Sequence, residues 1–331
     1  MSLKRGILAG SVLLVLASCP VCADEGMWTF DNPPLDRLRE RYGFTPDQAW
    51  LDHVRLAAVH VGRGGSGSFV SPDGLLLTNA HVARGQQQKL SSAEADYVRD
   101  GFLAATGADE LPCPDLEVTV LASYEDVTAR VLAAVGDSGD DQAAQEARRA
   151  VIAAIEKESL EATGLRSDVV TLYHGGEYWL YRYHSYTDVR LVFAPEAAAA
   201  YFGGDDDNFT FPRHDLDMAL FRVYADGKPL ASPSWLPLHV DGARTGDLVF
   251  VVGHPGSTDR LFTMAELAAL RDDSYPRREE YLQEALAGLE EYAARGPEQA
   301  RQVGGMLMGL NNGRKAGEGE HRGLLDPAVW A

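Results

Sequence analysis

Cysteine, positive charge and long apolar runs are scarce in this chain, and each scarcity excludes something. The three cysteines are Cys19, Cys22 and Cys113. The first two lie in an N-terminal stretch with the make-up of a secretory leader (residues 1–23). Lys4 and Arg5 form its charged start, residues 6–17 its apolar core, and Val21-Cys22-Ala23 a small-residue cleavage site. An alternative is a lipoprotein box at Leu16-Ala17-Ser18-Cys19, with Cys19 acylated. Cleavage after Ala23 leaves Cys113 alone, so no internal disulfide is predicted and the core must hold the chain together. The leader core is too short for a stable span, and no later stretch reaches ~18 uninterrupted apolar residues. No membrane association beyond export is therefore predicted. Basic residues number 30 against 49 acidic ones, a net charge of −19 that becomes −21 once Lys4 and Arg5 are removed. That surface repels nucleic acid and anionic lipid, and suits a periplasmic or secreted protein. Regular metal-ligand spacing is missing too. The nine histidines contain no His-x-x-x-His pair, and Asp205-Asp206-Asp207 lacks the spacing and closing glutamate of a calcium loop. No metal and no organic cofactor is predicted. About 308 residues remain after the leader, room for two domains.

Against these absences stand three motifs in a telling order. Leu75-Leu76-Leu77-Thr78-Asn79-Ala80-His81 is an apolar strand running into a Thr-Asn-Ala-His turn, which fixes an imidazole while leaving it open to a cleft. Upstream, Pro72-Asp73-Gly74 pre-sets a hairpin. Phe211-Pro212-Arg213-His214-Asp215-Leu216-Asp217 places a carboxylate at the mouth of a second apolar strand. Residues 246–256 add a third strand running into a Gly/Pro turn at Gly253-His254-Pro255-Gly256. Histidine, aspartate, then a strand is the order of a serine-protease triad, with His81 as general base and Asp217, or alternatively Asp215, as its orienting carboxylate.

The nucleophile is missing from that order. Gly136-Asp137-Ser138-Gly139 matches a trypsin nucleophile signature, but it lies before Asp217 and between two helical stretches. It is predicted to be a connector, with Ser138 or an aspartate capping the next helix. Ser66 precedes His81 on a strand. After Asp217 come Ser232, Ser234, Ser257 and Ser274, none in the Gly-x-Ser-Gly setting that exposes a hydroxyl beside an oxyanion hole.

Along the chain, residues 28–52 suggest an arm with one short helix and residues 54–82 a strand-rich segment. Residues 91–106 suggest a helix, 116–122 a strand and 125–163 a helical pair. Residues 169–192 return to strands, with Tyr173, Tyr178, Trp179, Tyr181, Tyr183 and Tyr186 crowded together as core or interface packing. Strands are predicted at 217–223 and 248–253. Residues 264–308 turn helical, with Leu267, Leu270, Tyr281, Leu282, Leu286 and Leu289 as the apolar stripe. The class is mainly β with α insertions.

Together the pieces resemble the bacterial dipeptidyl-peptidase family of serine exopeptidases, peptidase family S46. The residues that carry the resemblance are Asp24-Glu25-Gly26-Met27-Trp28, residues 67–75, Thr78-Asn79-Ala80-His81, Cys113-Pro114-Asp115-Leu116-Glu117-Val118, Asp207-Asn208-Phe209-Thr210-Phe211-Pro212-Arg213-His214 and Gly253-His254-Pro255-Gly256. The resemblance implies a chymotrypsin-like double β-barrel, incomplete here. Its peptidase portion would run over residues 24–262, and a helical domain would begin over residues 263–331. It implies His81 as base and Asp217 as its partner. Asn208, Phe209 and Asn312 (in Asn312-Gly313-Arg314-Lys315) would hold the free N-terminal amine of a peptide substrate, and a homodimer is the suggested assembly. Two departures fall at Ala80 and Val82, where the family usually has histidine and cysteine; Val82 leaves Cys113 without its implied disulfide partner. The third is length. Family members run roughly twice as long, so the serine nucleophile is expected beyond this chain, which alone would be inactive. Two other readings are an HtrA-like trypsin-type endopeptidase, against which the 136-residue gap from His81 to Asp217 argues, and a truncated non-catalytic peptide-binding pseudoenzyme.

Overall fold

The computed structural model describes residues 24, 26–92, 94–136, 140–201, 203, 205–255 and 262–330. The leader, Ser138 and Ser257 lie outside the described residues. The chain divides into two compact units.

The smaller unit comprises the N-terminal residues to Thr45 with Val240–Phe250. Its helix α1 (Leu35–Tyr42) ends on Gly43, whose left-handed φ of 67° lets its N–H reach the Arg39 and Leu38 carbonyls. The Asp24 carboxylate accepts hydrogen bonds from Arg41 and from the Tyr42 hydroxyl, and Phe44 packs on Phe250 at 5.5 Å.

The larger unit opens with α2 (Gln48–Ala57), capped by Asp47, whose side chain accepts from the Trp50 N–H. The predicted arm with one helix thus holds two, because Gly43 stops the first and Asp47 restarts the chain. β1 (Ala58–Val61), β2 (Gly65–Phe69) and β3 (Leu75–Thr78) follow, then α3 (Ala80–Leu90). His81 accordingly sits in the first turn of a helix rather than in a bare turn. The predicted helix at 91–106 shrinks to α4 (Tyr97–Asp100). Gly101 ends it at φ 72°, where a Cβ would lie 2.9 Å from the Glu196 backbone nitrogen. The released chain then joins the sheet as β4 (Phe102–Leu103).

β5 (Leu111–Pro112) and β6 (Val118–Asp126) precede the helical pair α5 (Thr128–Val135) and α6 (Asp141–Thr163). Asp140 caps α6 as anticipated for an aspartate there, accepting from the Gln142 and Ala143 N–H groups. β7 (Arg166–Leu172), β8 (Glu177–Tyr186) and β9 (Asp188–Ala194) follow, and β8 alone carries Tyr178, Tyr181, Tyr183 and Tyr186. Tyr178 is buried in a small core with Val131, Ile155 and Leu180, while Tyr173 is exposed. β10 (Ala219–Ala225) and β11 (Lys228–Pro229) are the last strands among the described residues. The strand predicted at 248–253 does not form. Its residues have no ladder partner there, and Val249 and Val251 are exposed. Helices α7 (Met264–Ala269), α8 (Tyr275–Ala293) and α9 (Pro297–Leu324) close the chain, with Leu282 and Leu286 buried but Tyr281 67% exposed.

The eleven described strands form one antiparallel sheet in the order β4-β9-β10-β3-β2-β1-β6-β8-β7, with β5 on β9 and β11 on β10. This path is open, so the described ladder is mainly antiparallel sheet with helices and does not itself close into a barrel. Its core is Val59, Val61, Phe69, Leu76, Val118, Leu191, Phe221 and Val223. Gly74 turns β2 into β3 at φ 72°, and a Cβ there would lie 2.8 Å from the Val223 carbonyl. Glycine is therefore what lets the hairpin dock on β10. Cys113 is buried and free, and burial pushes its thiol up to about 12. No described helix is long and apolar enough to cross a membrane.

Candidate active site

The site begins with strand register. β3 and β10 pair so that Thr78 faces Ala219. Two residues before Ala219 stands Asp217; just after Thr78 come Asn79 and His81. Register alone therefore brings Asp217 and His81, 136 positions apart, into contact.

Asp217 grips the histidine at two points. The His81 ring donates from Nδ1 to Asp217 Oδ2 at 2.8 Å, and the His81 backbone N–H donates to Oδ1 at 3.0 Å. Asn79, at the N-cap position of α3, makes no cap with its side chain. Its amide donates instead to Asp217 Oδ2 at 3.1 Å and to the Asp217 carbonyl at 3.0 Å. The carboxylate thus serves the first turn of α3 from outside, answering an N–H that has no intrahelical partner and facing the positive end of the helix dipole. Burial alone would raise the Asp217 carboxyl. Hydrogen bonds from the His81 ring and backbone, the charge of His81 and the Asn79 amide outweigh it and hold the group below the ordinary range. The alternative partner, Asp215, points elsewhere: it pairs with Arg213 at 2.8 Å, and burial raises its carboxyl.

His81 is among the residues that line a cavity of about 440 Å³ between α3 and the β1–β2 turn. Ser66, on β2, is engaged elsewhere, its hydroxyl accepting from the His254 N–H at 2.7 Å. Ser232 donates to the Ser234 carbonyl, away from this cavity.

The second cluster joins the acidic loop to α9. Asn208 is fully buried, and its amide donates to Asn312 Oδ1 at 2.9 Å. Arg213 donates to Asn208 Oδ1 at 2.9 Å and to Asp205 Oδ2 at 3.0 Å. Lys315 donates to the Asp205 and Asp206 carbonyls at 2.8 and 2.6 Å. A hydrogen bond from the His214 backbone holds the Asp207 carboxyl below its ordinary value. Phe209, next in the chain to Asn208, takes a left-handed φ of 58° and stays 61% exposed. Arg213 pairs with the carboxylates of Asp205, Asp207 and Asp215, while Lys315 is bound to backbone carbonyls; with Asp206 the segment sets four acidic side chains against these two cations, so the loop remains anionic.

The structure therefore brings His81 to Asp217 and Asn208 to Asn312. It adds Asn79, Arg213 and Lys315, which sequence reasoning passed over. All three lie inside quoted motifs, so a polar residue between a strand and its histidine was the available signal for Asn79. No group of three or more histidine, cysteine, aspartate or glutamate side chains among the described residues is arranged to hold a metal.

A histidine clamped through Nδ1 by a carboxylate and lining a cavity is the arrangement hydrolases use for a general base. The chain belongs to the peptidase S46 family, whose model, described as Peptidase S46, matches residues 23–331. It is 34% identical over 281 residues to dipeptidyl-peptidase 7 of Porphyromonas endodontalis, a match covering 80% of this chain and 34% of that protein. To dipeptidyl-peptidase 7 of Porphyromonas gingivalis it is 36% identical over 279 residues, covering 78% of this chain and 39% of that one. Among solved structures it resembles Porphyromonas endodontalis DPP11 in complex with substrate, with a TM-score of 0.80 and 26% identity over 92% of this chain and 47% of that chain. The chain spans between about a third and a half of the length of these relatives.

Proposed function

We propose that this chain supplies the base and amine-binding parts of a serine-type dipeptidyl peptidase, which releases dipeptides from the free N-terminus of peptides. The observation that carries the reading is the two-point clamp of Asp217 on His81. His81 accepts the proton of a serine hydroxyl as that oxygen attacks the second peptide carbonyl, then returns it to the leaving amine. Asp217 holds the ring in the tautomer that accepts at Nε2 and stabilises the imidazolium. In this reading the nucleophilic serine lies outside the described residues; Ser66 and Ser232 are engaged elsewhere. Asn208 and Asn312 each keep acceptor capacity on their amide oxygens, Phe209 offers a cation–π face, and the anionic loop favours an ammonium. Those features suit an amine held two residues from the cut.

In this reading the open sheet is part of a chymotrypsin-like double barrel, residues 263–331 belong to a helical domain, and the protein is exported to the periplasm or the exterior and pairs as a homodimer. The test takes protein at native length from the source cell's periplasmic or secreted fraction and a panel of dipeptidyl coumarylamides. Free-amine substrates should be hydrolysed, while their N-acetylated forms and the His81→Ala protein give none. Equal cleavage of acetylated substrates would move the reading to an endopeptidase.

A further inference from the structure

The cavity beside His81 is not explained by amine recognition. Its lining includes Arg63 and Gly64 from the β1–β2 turn, His81, Gln86 and Lys89 from α3, and Asp115 from the approach to β6. At about 100° per residue, positions 81, 82, 85, 86 and 89 share one face of α3. Arg84 lies on the opposite flank, where its guanidinium donates to the Ala200 carbonyl at 2.9 Å, at the entry to the loop that carries Asn208. The cavity therefore lies on a different face of α3 from the flank that meets the chain leading to Asn208.

Two features point to a ligand. Gln86 is only 7% exposed, and its side-chain oxygen has no hydrogen-bond partner among the described residues. A buried acceptor left in that state is costly unless something donates to it, and Gln86 is one of the residues that line this cavity. The second is charge. In a chain of net −19, the cavity carries Arg63 and Lys89 against Asp115 alone. Lys89 and Asp115 stand 3.9 Å apart and are both exposed, a pairing weak enough to yield to a ligand. Gly65 seals the wall, since a Cβ there would lie 2.5 Å from the Val82 side chain.

We propose that this cavity receives the peptide segment downstream of the cleaved bond, with Gln86 accepting a backbone N–H and Arg63 and Lys89 selecting a carboxylate. The inference rests on the proposed dipeptidyl-peptidase reading, because the direction of the peptide comes from the amine end. The carboxylate belongs either to an acidic side chain or to the C-terminus of a short peptide.

Calorimetric binding of four peptides to the purified chain separates these cases. All begin Ala-Leu and continue as Glu-Glu amide, Ala-Ala amide, Ala-Ala with a free carboxylate, or Lys-Lys amide; each is also made N-acetylated. Peptides with a downstream carboxylate should bind roughly three- to tenfold tighter than Ala-Ala amide, and Lys-Lys amide weakest, with the spread shrinking in high salt. Preference for Glu-Glu amide assigns the side chain, and preference for free-carboxyl Ala-Ala assigns the terminus. Arg63→Glu with Lys89→Glu, both at the surface, should invert the order. Asp115→Asn should widen it, and Gln86→Leu should weaken all four peptides alike. An order that is absent, or that survives the double charge reversal, overturns the proposal. Acetylation tests the parent reading separately: if it leaves binding unchanged, the amine cluster has failed whatever the downstream charge does. No binding by any peptide would overturn both.

Discussion

His81 and Asp217 meet where two neighbouring strands of the sheet end, whereas Asn208 and Asn312 meet between a loop and a helix 104 positions apart. At the first pair the backbone has done most of the work. The β3–β10 register sets the approach, the start of α3 aims the histidine, and one carboxylate with an asparagine finishes the geometry. At the second no ladder sets the distance. The loop is tied instead by Arg213, which reaches Asn208, Asp205 and Asp215, and by Lys315. A site on regular structure needs few side chains to hold it, while one on a loop takes a charged network, with the desolvation cost that charges bring.

The two sites differ most in what they contribute to activity. In protein of native length, Asp217→Asn should lower turnover about 10⁴-fold, because the amide favours the wrong imidazole tautomer. Substrate affinity and thermal stability should change little. A loss mainly in KM would mean that Asp217 positions substrate rather than His81. The reverse pattern is expected at the loop. Arg213→Met leaves Asp215, whose side chain is 6% exposed, without its cation. Loss of one partner from such a partly buried network should cost about 3 kcal/mol, read from urea denaturation. Peptide affinity should fall with it.

The sequence disclosed the first pair more fully than the second. His81 and Asp217 each follow or precede an apolar strand, a local pattern that survives without knowledge of the partner. The pairing of Asn208 with Asn312 rests on the docking of α9 against the loop and had no local signature; only the family resemblance pointed to it. Strand-forming composition at 248–253 did not give a strand, because a strand exists only with a ladder partner, and Val251 is fully exposed. The helical look of 91–106 failed at Gly101, whose close approach to Glu196 is a tertiary fact. Arg213 was legible as a motif residue but not as the hub of the loop, since the carboxylates it serves are assembled by a turn.

A smaller effect sharpens the first pair. Asn79→Ala removes two hydrogen bonds to Asp217, one of them to the carboxylate. The loss should be about 1–2 kcal/mol, appearing as a reduced Tm and a few-fold drop in turnover. Because the register still places Asp217, the decline should stay far short of that in Asp217→Asn. Equal damage from both variants would show that Asn79, not the strand pairing, sets the geometry.

The finest test lies in two aspartates that stand two positions apart and belong to different ends of the comparison. Asp217 has its carboxyl lowered in the folded state. It therefore contributes stability that is present above the unfolded value near 3.8 and is lost as pH falls through the lower folded value. Asp215 is raised, burial outweighing the attraction of Arg213. Its contribution is present below the unfolded value and is lost as pH climbs through the raised folded one. The two slopes oppose each other across the acid range, so the whole protein should show a shallower pH dependence there than either group alone. Urea midpoints measured from pH 2.5 to 7 should show Asp217→Asn flattening the fall below about pH 4. Asp215→Asn should remove the loss on the neutral side, leaving that variant equal to or slightly above the parent at pH 7. Both changes should be smaller than the loss expected from Arg213→Met. A drop in neutral stability with Asp215→Asn would mean that its ion pair with Arg213 outweighs burial, and that the loop is held by attraction at every carboxylate.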